Sequence, residues 1–456
     1  MEANYNDETD IEVVKKPSLD IKYGFTSGLT LDTTVNTDFA QVEADEEKVN
    51  LSRFDPYLEE KRPFFLEGVG IFDTPMPLFY SRKIGSVWGK EAQILGGLKL
   101  TGKVGKQSLG LLNVQTDEVD ETPSTNFSAF RIQRDIFRSS SAGLIFLNKA
   151  PLEGGKDNQT LGADLRFNPR NELSISSLLA KAWTDDLKGK DLTGKISGHW
   201  QAKSWDMGAS YADIQKNFND EMGFITRTDI RDTELWGGQS FQINKGIFRS
   251  SGGKAFYGII TDHDGRLVSR DTGFDYGLGL KTGDSGGIGA GRHWEYLDWD
   301  WEIRKGIVIP KGLYRWYGYG AGAGTDDSRW IKIGGEYGRN GFYTGNRQNA
   351  SLGGHIRPVP KLLITGSYDW NSINLPDGSF STNTINSRAI YNFSPDFFVK
   401  LFLQWNDDSD IIRGNFLLRY TYRPGSDFYI VYNEFWQSSD AKQRSIVVKV
   451  TYFFNI

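Results

Sequence analysis

Acidic residues spaced two apart form the most concentrated group of chemically active side chains in the sequence. Asp298, Asp300 and Glu302 alternate with apolar residues and are followed by Arg304. Residues two apart on a β-strand lie on the same face, so the three carboxylates would line up. Such a row can bind a divalent cation or line a path for water, whereas unpaired charges in a sandwich core would cost several kcal/mol each. We therefore expect this strand to border water.

Two further acidic groups have a solvated loop as their favoured interpretation. Asp262-His263-Asp264 combines a base with two acids, and its alternative interpretation is an acid–base site at the rim of a membrane-embedded enzyme. The acidic residues within 407–410 have calcium binding as their alternative. Neither cluster identifies a reaction.

Motifs of common catalytic sites are missing from the sequence. There is no GxSxG elbow, HExxH motif or P-loop, no cysteine, and the four histidines are scattered. We expect no catalytic residue, cofactor or metal site, although the question of an enzyme stays open. The 53 Lys plus Arg against 58 Asp plus Glu give a net charge of −5, which does not favour a nucleic-acid partner.

The composition also limits the class of protein. The chain of 456 residues has 52 Gly, 13 Trp, 20 Tyr and 29 Phe, but only 38% hydrophobic residues. It is rich in aromatic residues and poor in the aliphatic residues of a large α/β core. No segment approaches the roughly 18 apolar residues of a membrane-spanning helix. The start of the chain lacks a signal-peptide pattern, and we expect that a leader has been removed.

Alternating apolar and polar residues indicate strands that border lipid on one side and water on the other. In residues 445–456 the even positions are apolar and most odd positions are polar. Residues 397–406, 412–422 and 428–436 repeat the pattern less strictly. Each segment has about 9 to 11 residues, which is the length of a tilted membrane-spanning strand.

The connections between these segments alternate between short and long, as in outer-membrane barrels. Short turns are predicted at Ser394–Asp396, Arg423–Ser426, Asn168–Asn171 and Lys203–Ser204, and longer polar loops at 117–124, 151–158, 217–229 and 372–381.

The sequence therefore predicts an all-β fold, a transmembrane antiparallel up-and-down β-barrel closed on itself. We expect about 20 strands, with 18 to 24 allowed because the register of residues 284–345 is ambiguous. Glycines alternate along 318–324, and glycine on one face permits strong curvature or the close approach of a plug. A soluble propeller or large sandwich is the alternative.

The predicted organisation has four parts. Residues 1–17 are expected to be a disordered leader, 18–35 a hairpin, 36–90 a non-barrel plug or cap, and 91–456 the barrel. The plug has charges of both signs, which favour an ion-pair network that holds it to a polar wall; a ligand or cation site at Glu67 or Asp45 with Arg62 is the alternative. The predicted network comprises Glu43, Asp45, Arg53, Glu59, Arg62, Glu67, Arg82 and Lys83.

Residues predicted to line the lumen come from the polar faces of the strands. They are Asp298, Asp300, Glu302, Arg304, Lys400, Arg413, Arg419 and Lys449.

Several sequence pieces resemble a family of outer-membrane proteins of unknown function, in which a carbohydrate-binding family nine-like domain commonly precedes a C-terminal barrel. The resemblance extends over nearly the whole chain from about Ser18, and EKRPFFLEG, within the matching piece Glu59–Gly68, is its most specific part. It implies an outer-membrane barrel and no particular reaction. The other matching pieces are Leu31–Asp45, Val49–Phe54, Leu78–Gly85, Leu375–Phe380, Tyr422–Asp427 and Val431–Glu434.

These observations favour a channel or uptake component of the outer membrane, with a polar lumen partly occluded by residues 36–89. The first alternative is a scaffold or assembly subunit, and the second is a hydrolase embedded in the outer membrane. The expected partners are outer-membrane lipid, a small polar solute that the sequence does not identify, and other outer-membrane or periplasmic proteins.

Overall fold

Almost every regular element of the chain is a β-strand. The computed structural model describes residues 2–5, 11–14, 17–37, 45–87, 90–437 and 441–452. Glu43, one of the predicted network residues, lies outside these ranges. Within them, no helix is long and apolar enough to cross a membrane.

The strands are listed here in chain order. The first are β1 (Glu2–Tyr5), β2 (Ile11–Val14), β3 (Leu19–Thr26), β4 (Leu29–Val35), β5 (Ser86–Val87) and β6 (Lys90–Glu91). Next are β7 (Ile94–Val104), β8 (Gln107–Thr116), β9 (Thr125–Phe137), β10 (Ser140–Pro151), β11 (Asn158–Arg170), β12 (Leu173–Thr184), β13 (Leu192–Gln201) and β14 (Trp205–Ile214). Then come β15 (Ile230–Gln242), β16 (Phe248–Asp262), β17 (Leu267–Leu280), β18 (Ser285–Leu297), β19 (Trp301–Arg304), β20 (Ile307–Ile309) and β21 (Gly312–Gly324). The last are β22 (Ile331–Phe342), β23 (Gly345–Val359), β24 (Leu362–Leu375), β25 (Gly378–Ser394), β26 (Phe397–Asn406), β27 (Ile411–Arg423), β28 (Ser426–Gln437) and β29 (Ala441–Val450).

One antiparallel sheet of 25 strands contains all of these except β5–β6 and β19–β20, which form two small hairpins. The count exceeds the 18 to 24 predicted. Two of the strands, β1 and β2, lie in residues 1–17, where the sequence predicts a disordered leader. β1 pairs with β29 and β2 pairs with β1, so the edge of the last strand obtains backbone hydrogen-bond partners.

The expectation of a sheet closed on itself is wrong for the pairings of the described residues, because β2 and β3 are the two ends of the sheet. All neighbours are antiparallel and the count is odd, so β2 and β3 run in the same direction. Only residues 15–18 connect them, whereas a parallel pair needs a crossover of about a dozen residues or more.

The two faces of the sheet differ as the alternation predicts. In β29, Ile446, Val448 and Val450 are exposed, whereas Val447 and Lys449 between them are buried. We call the first face outer and the second inner. Large apolar side chains are exposed on the outer face of strands throughout the sheet, including Leu144, Leu179, Ile288 and Leu403.

The sheet curls around residues 45–87, which we call the inner segment. This segment contains one short helix, α1 (Pro63–Leu66), and two 3-10 turns. It contacts strands near both ends of the sheet, since Glu67 pairs with Lys22 of β3 and Glu47 pairs with Arg413 of β27. The inner face therefore encloses it.

The connections are all short at one end of the sheet, whereas those at the other end range from two-residue turns to long loops. At the short-turn end they have two to six residues, including the predicted turns near Pro395 and Pro424. At the long-loop end they include 117–124 and 215–229 as well as the inner segment. The loop predicted at 372–381 is wrong, because β24 and β25 extend to Leu375 and Gly378 and leave a two-residue turn.

The strand predicted to span Leu297 to Arg304 is also wrong. β18 ends at Leu297, and β19 belongs to a separate hairpin with β20 at the long-loop end. The alternating residues are divided between the end of β18, the connection at 298–300 and the hairpin, in which Trp301 and Ile303 pack on a small apolar cluster.

Candidate functional site

The apolar side of the inner segment fills the space in front of β7–β14, which we call the packed half. Phe72, Leu78 and Ile84 are buried in one cluster with Leu112 and Ile145 of the wall. Each large side chain buried in this way contributes roughly 1.5–3 kcal/mol. Many inward side chains of the wall are apolar here, which the prediction of a polar inner face did not anticipate.

Glycines in the packed half leave space for these side chains to pack against the wall. A Cβ placed on Gly110 would lie 2.9 Å from the ring of Phe72, and one on Gly162 would lie 2.8 Å from Leu78. Real Cβ contacts are not that short, so these positions admit the inner segment because they carry no side chain.

Glu60 and Arg62 of the EKRPFFLEG motif hold the inner segment in its own shape. Arg62 donates from Nε and Nη2 to the two carboxylate oxygens of Glu60 at 2.9 and 2.7 Å, and from Nη1 to the carbonyl of Ile84 at 2.9 Å. Burial raises the pKa of Glu60, but the hydrogen bonds and charge of Arg62 outweigh it and leave that pKa below its usual value. The motif is thus explained by local structure.

Ion pairs join the inner segment to the wall at several heights. Lys22 contacts Glu67 at 2.5 Å, Arg413 contacts Glu47 at 2.6 Å, and Arg53 contacts Glu295 at 3.2 Å. Within the segment, Asp45 pairs with both Arg82 and Lys61; Glu59 contributes a backbone carbonyl to Arg82, and Lys83 is exposed.

A buried ion pair lies under the inner segment in the wall itself. Arg131 of β9 and Asp164 of β11 are both buried and form a bidentate pair, and Arg131 Nε donates to the carbonyl of Ile71 at 3.2 Å. Removal of one partner of such a pair costs about 3–5 kcal/mol. The sequence alone did not reveal it, since the two residues lie two strands apart.

The inner face of β16–β22 is lined by glycine, and we call this the glycine-lined half. Facing glycines occupy neighbouring register positions on adjacent strands, such as Gly289 beside Gly320 and Gly320 beside Gly338. Added Cβ atoms there would meet only atoms of neighbouring strands and none of the inner segment. The inward-facing glycines of β17, β18 and β21 are Gly273, Gly277, Gly279, Gly287, Gly289, Gly291, Gly318, Gly320, Gly322 and Gly324.

Two open grooves run along this wall, with volumes of about 690 and 530 Å³. Both are lined by Gly277, Gly287, Gly322 and Glu336, so they meet. Asp275 faces the smaller groove. The glycines along 318–324, for which the sequence predicts strong curvature or the close approach of a plug, border open space, and their lack of side chains widens it.

The loop of residues 215–229, at the long-loop end, folds onto the inner segment. Tyr80 donates its backbone N–H to Met222 at 2.7 Å, and Phe224 donates to Pro77 at 2.9 Å. Asp220 in this loop is buried beside Thr160. Burial raises the pKa of Asp220 to about 7.

Asp262-His263-Asp264 does not assemble as an acid–base cluster. His263 Nδ1 lies 2.8 Å from Asp229 and Nε2 lies 2.9 Å from Asp213, so the ring bridges the end of the 215–229 loop and strand β14. Burial lowers the pKa of His263, but hydrogen bonds to these two carboxylates outweigh it and raise that pKa above its usual value. Asp262 instead accepts from Arg266.

The structure scatters the predicted row of carboxylates. Asp298 pairs with Arg53 at 3.4 Å, Asp300 accepts from the backbone of Lys311 at 2.7 Å, and Glu302 accepts from Gly306 at 2.7 Å. Arg304 pairs with Asp408 in the neighbouring loop. These contacts stabilise the hairpin at the long-loop end.

Four other predicted lumen residues lie on inner-face positions of β26, β27 and β29. Arg413 binds the inner segment through Glu47, and Arg419 binds Asp427 at 2.9 and 3.1 Å. Lys400 shares a face with buried Phe402, and Lys449 is buried.

Residues that sequence reasoning missed include Glu336 and Asp275 beside the grooves and Glu295 beneath Arg53. Alternation places each of them on the polar face of its strand. The register between strands, which brings Glu336 and Asp275 to one groove, leaves no signal in a single sequence. Within the described ranges, no three His, Asp or Glu side chains converge as a metal site requires.

Comparison with known proteins gives one family match. Residues 1–114 match a domain of unknown function (DUF5916). This agrees with the resemblance to a family of unknown function, whereas the association with a carbohydrate-binding family nine domain stays a prediction. No curated protein matches the chain.

Several solved structures are similar at low identity. The siderophore receptor PirA from Pseudomonas aeruginosa is 8% identical, with a TM-score of 0.47 over 77% of this chain and 85% of that one. The siderophore receptor PiuA from Acinetobacter baumannii is 9% identical, with a TM-score of 0.45 over 78% and 79%. OccAB2 from Acinetobacter baumannii is 12% identical, with a TM-score of 0.36 over 80% and 93%.

Proposed function

We propose that the chain is an outer-membrane β-barrel through which small polar solutes pass along the glycine-lined half. The observation that carries this proposal is the pair of connected grooves on the inner face of a sheet whose outer face is apolar. In this proposal residues 36–90 form a plug that fills the packed half and leaves the grooves of the glycine-lined half open, and residues 91–456 supply most of the wall.

The outer face supports a location in a membrane. Exposed Leu179, Ile288 and Tyr317 are 72%, 64% and 64% accessible, and similar side chains recur on strands around the sheet. A soluble protein rarely exposes an apolar patch of more than a few hundred Å². Lipid is the solvent that such a surface requires.

The inner face supports a polar solute. The grooves of about 690 and 530 Å³ lie in the size range of small-molecule sites, roughly 300–1,000 Å³. They are bordered by serine, glycine, asparagine and carboxylate groups. Lys400, Arg419 and Lys449 line the lumen near the short-turn end in this proposal, and the hairpin with Asp298, Asp300, Glu302 and Arg304 flanks the opposite mouth.

A bulky side chain at Gly277 tests the proposal. Gly277 lines both grooves, and the nearest atom to an added Cβ there is 3.7 Å away, so a larger residue fits without a clash. We expect Gly277→Trp to reduce single-channel conductance in planar bilayers by about half or more, because the indole fills the path.

The matched control is Tyr276→Trp, which changes the adjacent residue on the outer face. It should leave conductance unchanged. The proposal is refuted if the wild-type protein shows no conductance above background, or if both variants conduct like the wild type.

A further inference from the structure

Four arginines lie on the outer face of adjacent strands β17, β18, β21 and β22. Arg270 and Arg292 share the outward register of exposed Phe274 and Ile288. The others follow the same rule, with Arg315 beside Tyr317 and Arg339 beside Tyr337 on their strands. We call Arg270, Arg292, Arg315 and Arg339 the outer arginine patch.

The patch has no acidic counterpart in the described residues. The outward positions of its four strands contain no Asp or Glu, and none of the four guanidinium groups forms an ion pair within 4 Å. Two other arginines of the outer face do have acidic partners: Arg231 pairs with Asp213 at 3.3 Å and Arg444 with Glu434 at 2.8 Å. Charge bordering lipid is costly unless a partner neutralises it.

Aromatic rings hold part of the patch in place. The guanidinium carbons of Arg270 and Arg292 lie 4.0 and 4.1 Å from the ring of Trp294, and Arg292 also lies 5.1 Å from Tyr317. The Nε atoms of both arginines are buried with no protein acceptor in the described chain. Stacking uses the face of a guanidinium and leaves its N–H edge able to bind an anion.

The patch borders the apolar band at the long-loop end. Arg270 and Arg315 each lie three residues inside the strand end there, and Arg339 lies three residues before the end of β22. Towards the short-turn end the same strands expose Ile288, Tyr319 and other apolar groups. Lipid head groups lie at the edge of the apolar band of a barrel, which is where the patch lies.

We propose that the outer arginine patch binds the phosphate groups of an anionic lipid in the leaflet next to the long loops. This inference rests on the membrane location in the proposed function, but not on conductance. Arginine binds phosphate in a bidentate manner, and basic clusters at the membrane interface recognise anionic head groups. Four guanidinium groups fit a lipid that carries more than one phosphate.

Native mass spectrometry of the detergent-solubilised full chain tests this. The probe is diphosphorylated lipid A, compared with chemically dephosphorylated lipid A and with inorganic phosphate as competitor. We expect the wild type to retain the diphosphorylated lipid, and Arg270→Gln/Arg292→Gln to weaken retention about ten-fold or more through loss of charge-assisted hydrogen bonds.

Arg134→Gln is the matched control, since Arg134 is also exposed on the outer face but lies near the short-turn end. It should bind lipid like the wild type. Equal retention by the double variant, equal loss in Arg134→Gln, equal binding of dephosphorylated lipid, or equally strong competition by inorganic phosphate would each overturn the inference. Conductance of the same preparations separates this result from the proposed function, because the double variant should conduct normally.

Discussion

Glycine has opposite consequences in the two halves of the enclosed space. In the packed half, Gly110 and Gly162 receive Phe72 and Leu78 of the inner segment, so the missing side chains are replaced by others. In the glycine-lined half nothing from the inner segment reaches Gly277. The comparison shows that glycine on an inner wall creates volume, and that a neighbouring segment decides whether the volume is filled or open.

Leu78→Ala should give the largest loss of stability, because it removes the side chain that packs against Gly162. Leu78 is fully buried, and such a substitution costs about 2–5 kcal/mol, including the cavity left behind. The midpoint of thermal unfolding in detergent measures the loss. Leu179→Ala, on the outer face of the same half, is the control and should change the midpoint little, since detergent or lipid takes the place of the lost side chain. Equal shifts for both would show that the inner segment is not packed as described.

Asp220→Asn should give the next largest effect and make stability less dependent on pH. The folded chain retains a proton on Asp220 up to a pKa of about 7, whereas the unfolded chain loses it near pH 4. Between these values the folded state binds more protons, so wild-type stability falls as pH rises from about 4 to 7. The variant should therefore be more stable than the wild type above pH 7, by about 2–4 kcal/mol.

Unfolding midpoints measured at pH 5 and pH 8 check this sign. The exposed loop residue Glu153 provides the control variant, Glu153→Gln, which should follow the wild type at both values. A variant stabilised equally at pH 5 and pH 8 would contradict the assignment of the pH dependence to Asp220.

Sequence periodicity predicts the outer face of the sheet well and its inner contents poorly. The alternation around Val448 and Leu403 depends only on the residues of each strand and on the solvent that each face borders. It therefore identified the strands and their outward residues. Register and enclosure depend on pairings between distant residues. That is why the alternation from Leu297 to Arg304 was taken for one strand, and why the buried pair of Arg131 and Asp164 left no recognisable pattern.

The inner segment could be predicted as non-barrel because alternation stops within it. The presence of ion pairs in it could be predicted, but not which residues pair. The balance of signs indicated a network, but it could not indicate that Arg62 would bind Glu60 two residues away while Arg53 would reach Glu295 on β18. These pairings follow from the path of the segment through the sheet, which no local pattern describes.

Glu336→Gln should give the smallest effect and would sharpen the view of the open half as a path for solutes. Glu336 lines both grooves, Asp275 lines the smaller one and Arg249 lines the larger one, so Glu336 is the acidic group common to both walls. A wall carboxylate in water attracts a passing cation by about 1 kcal/mol at 4 Å, and salt screens this further. We therefore expect the cation-to-anion permeability ratio, taken from the reversal potential in a salt gradient near 0.1 M, to fall by about two-fold.

Glu118→Gln, in an exposed loop at the long-loop end, should leave the ratio unchanged because its charge lies outside the grooves. An unchanged ratio in Glu336→Gln, with conductance intact, would show that ions do not pass along these grooves. The glycine-lined half would then be open but would not serve as the path for solutes.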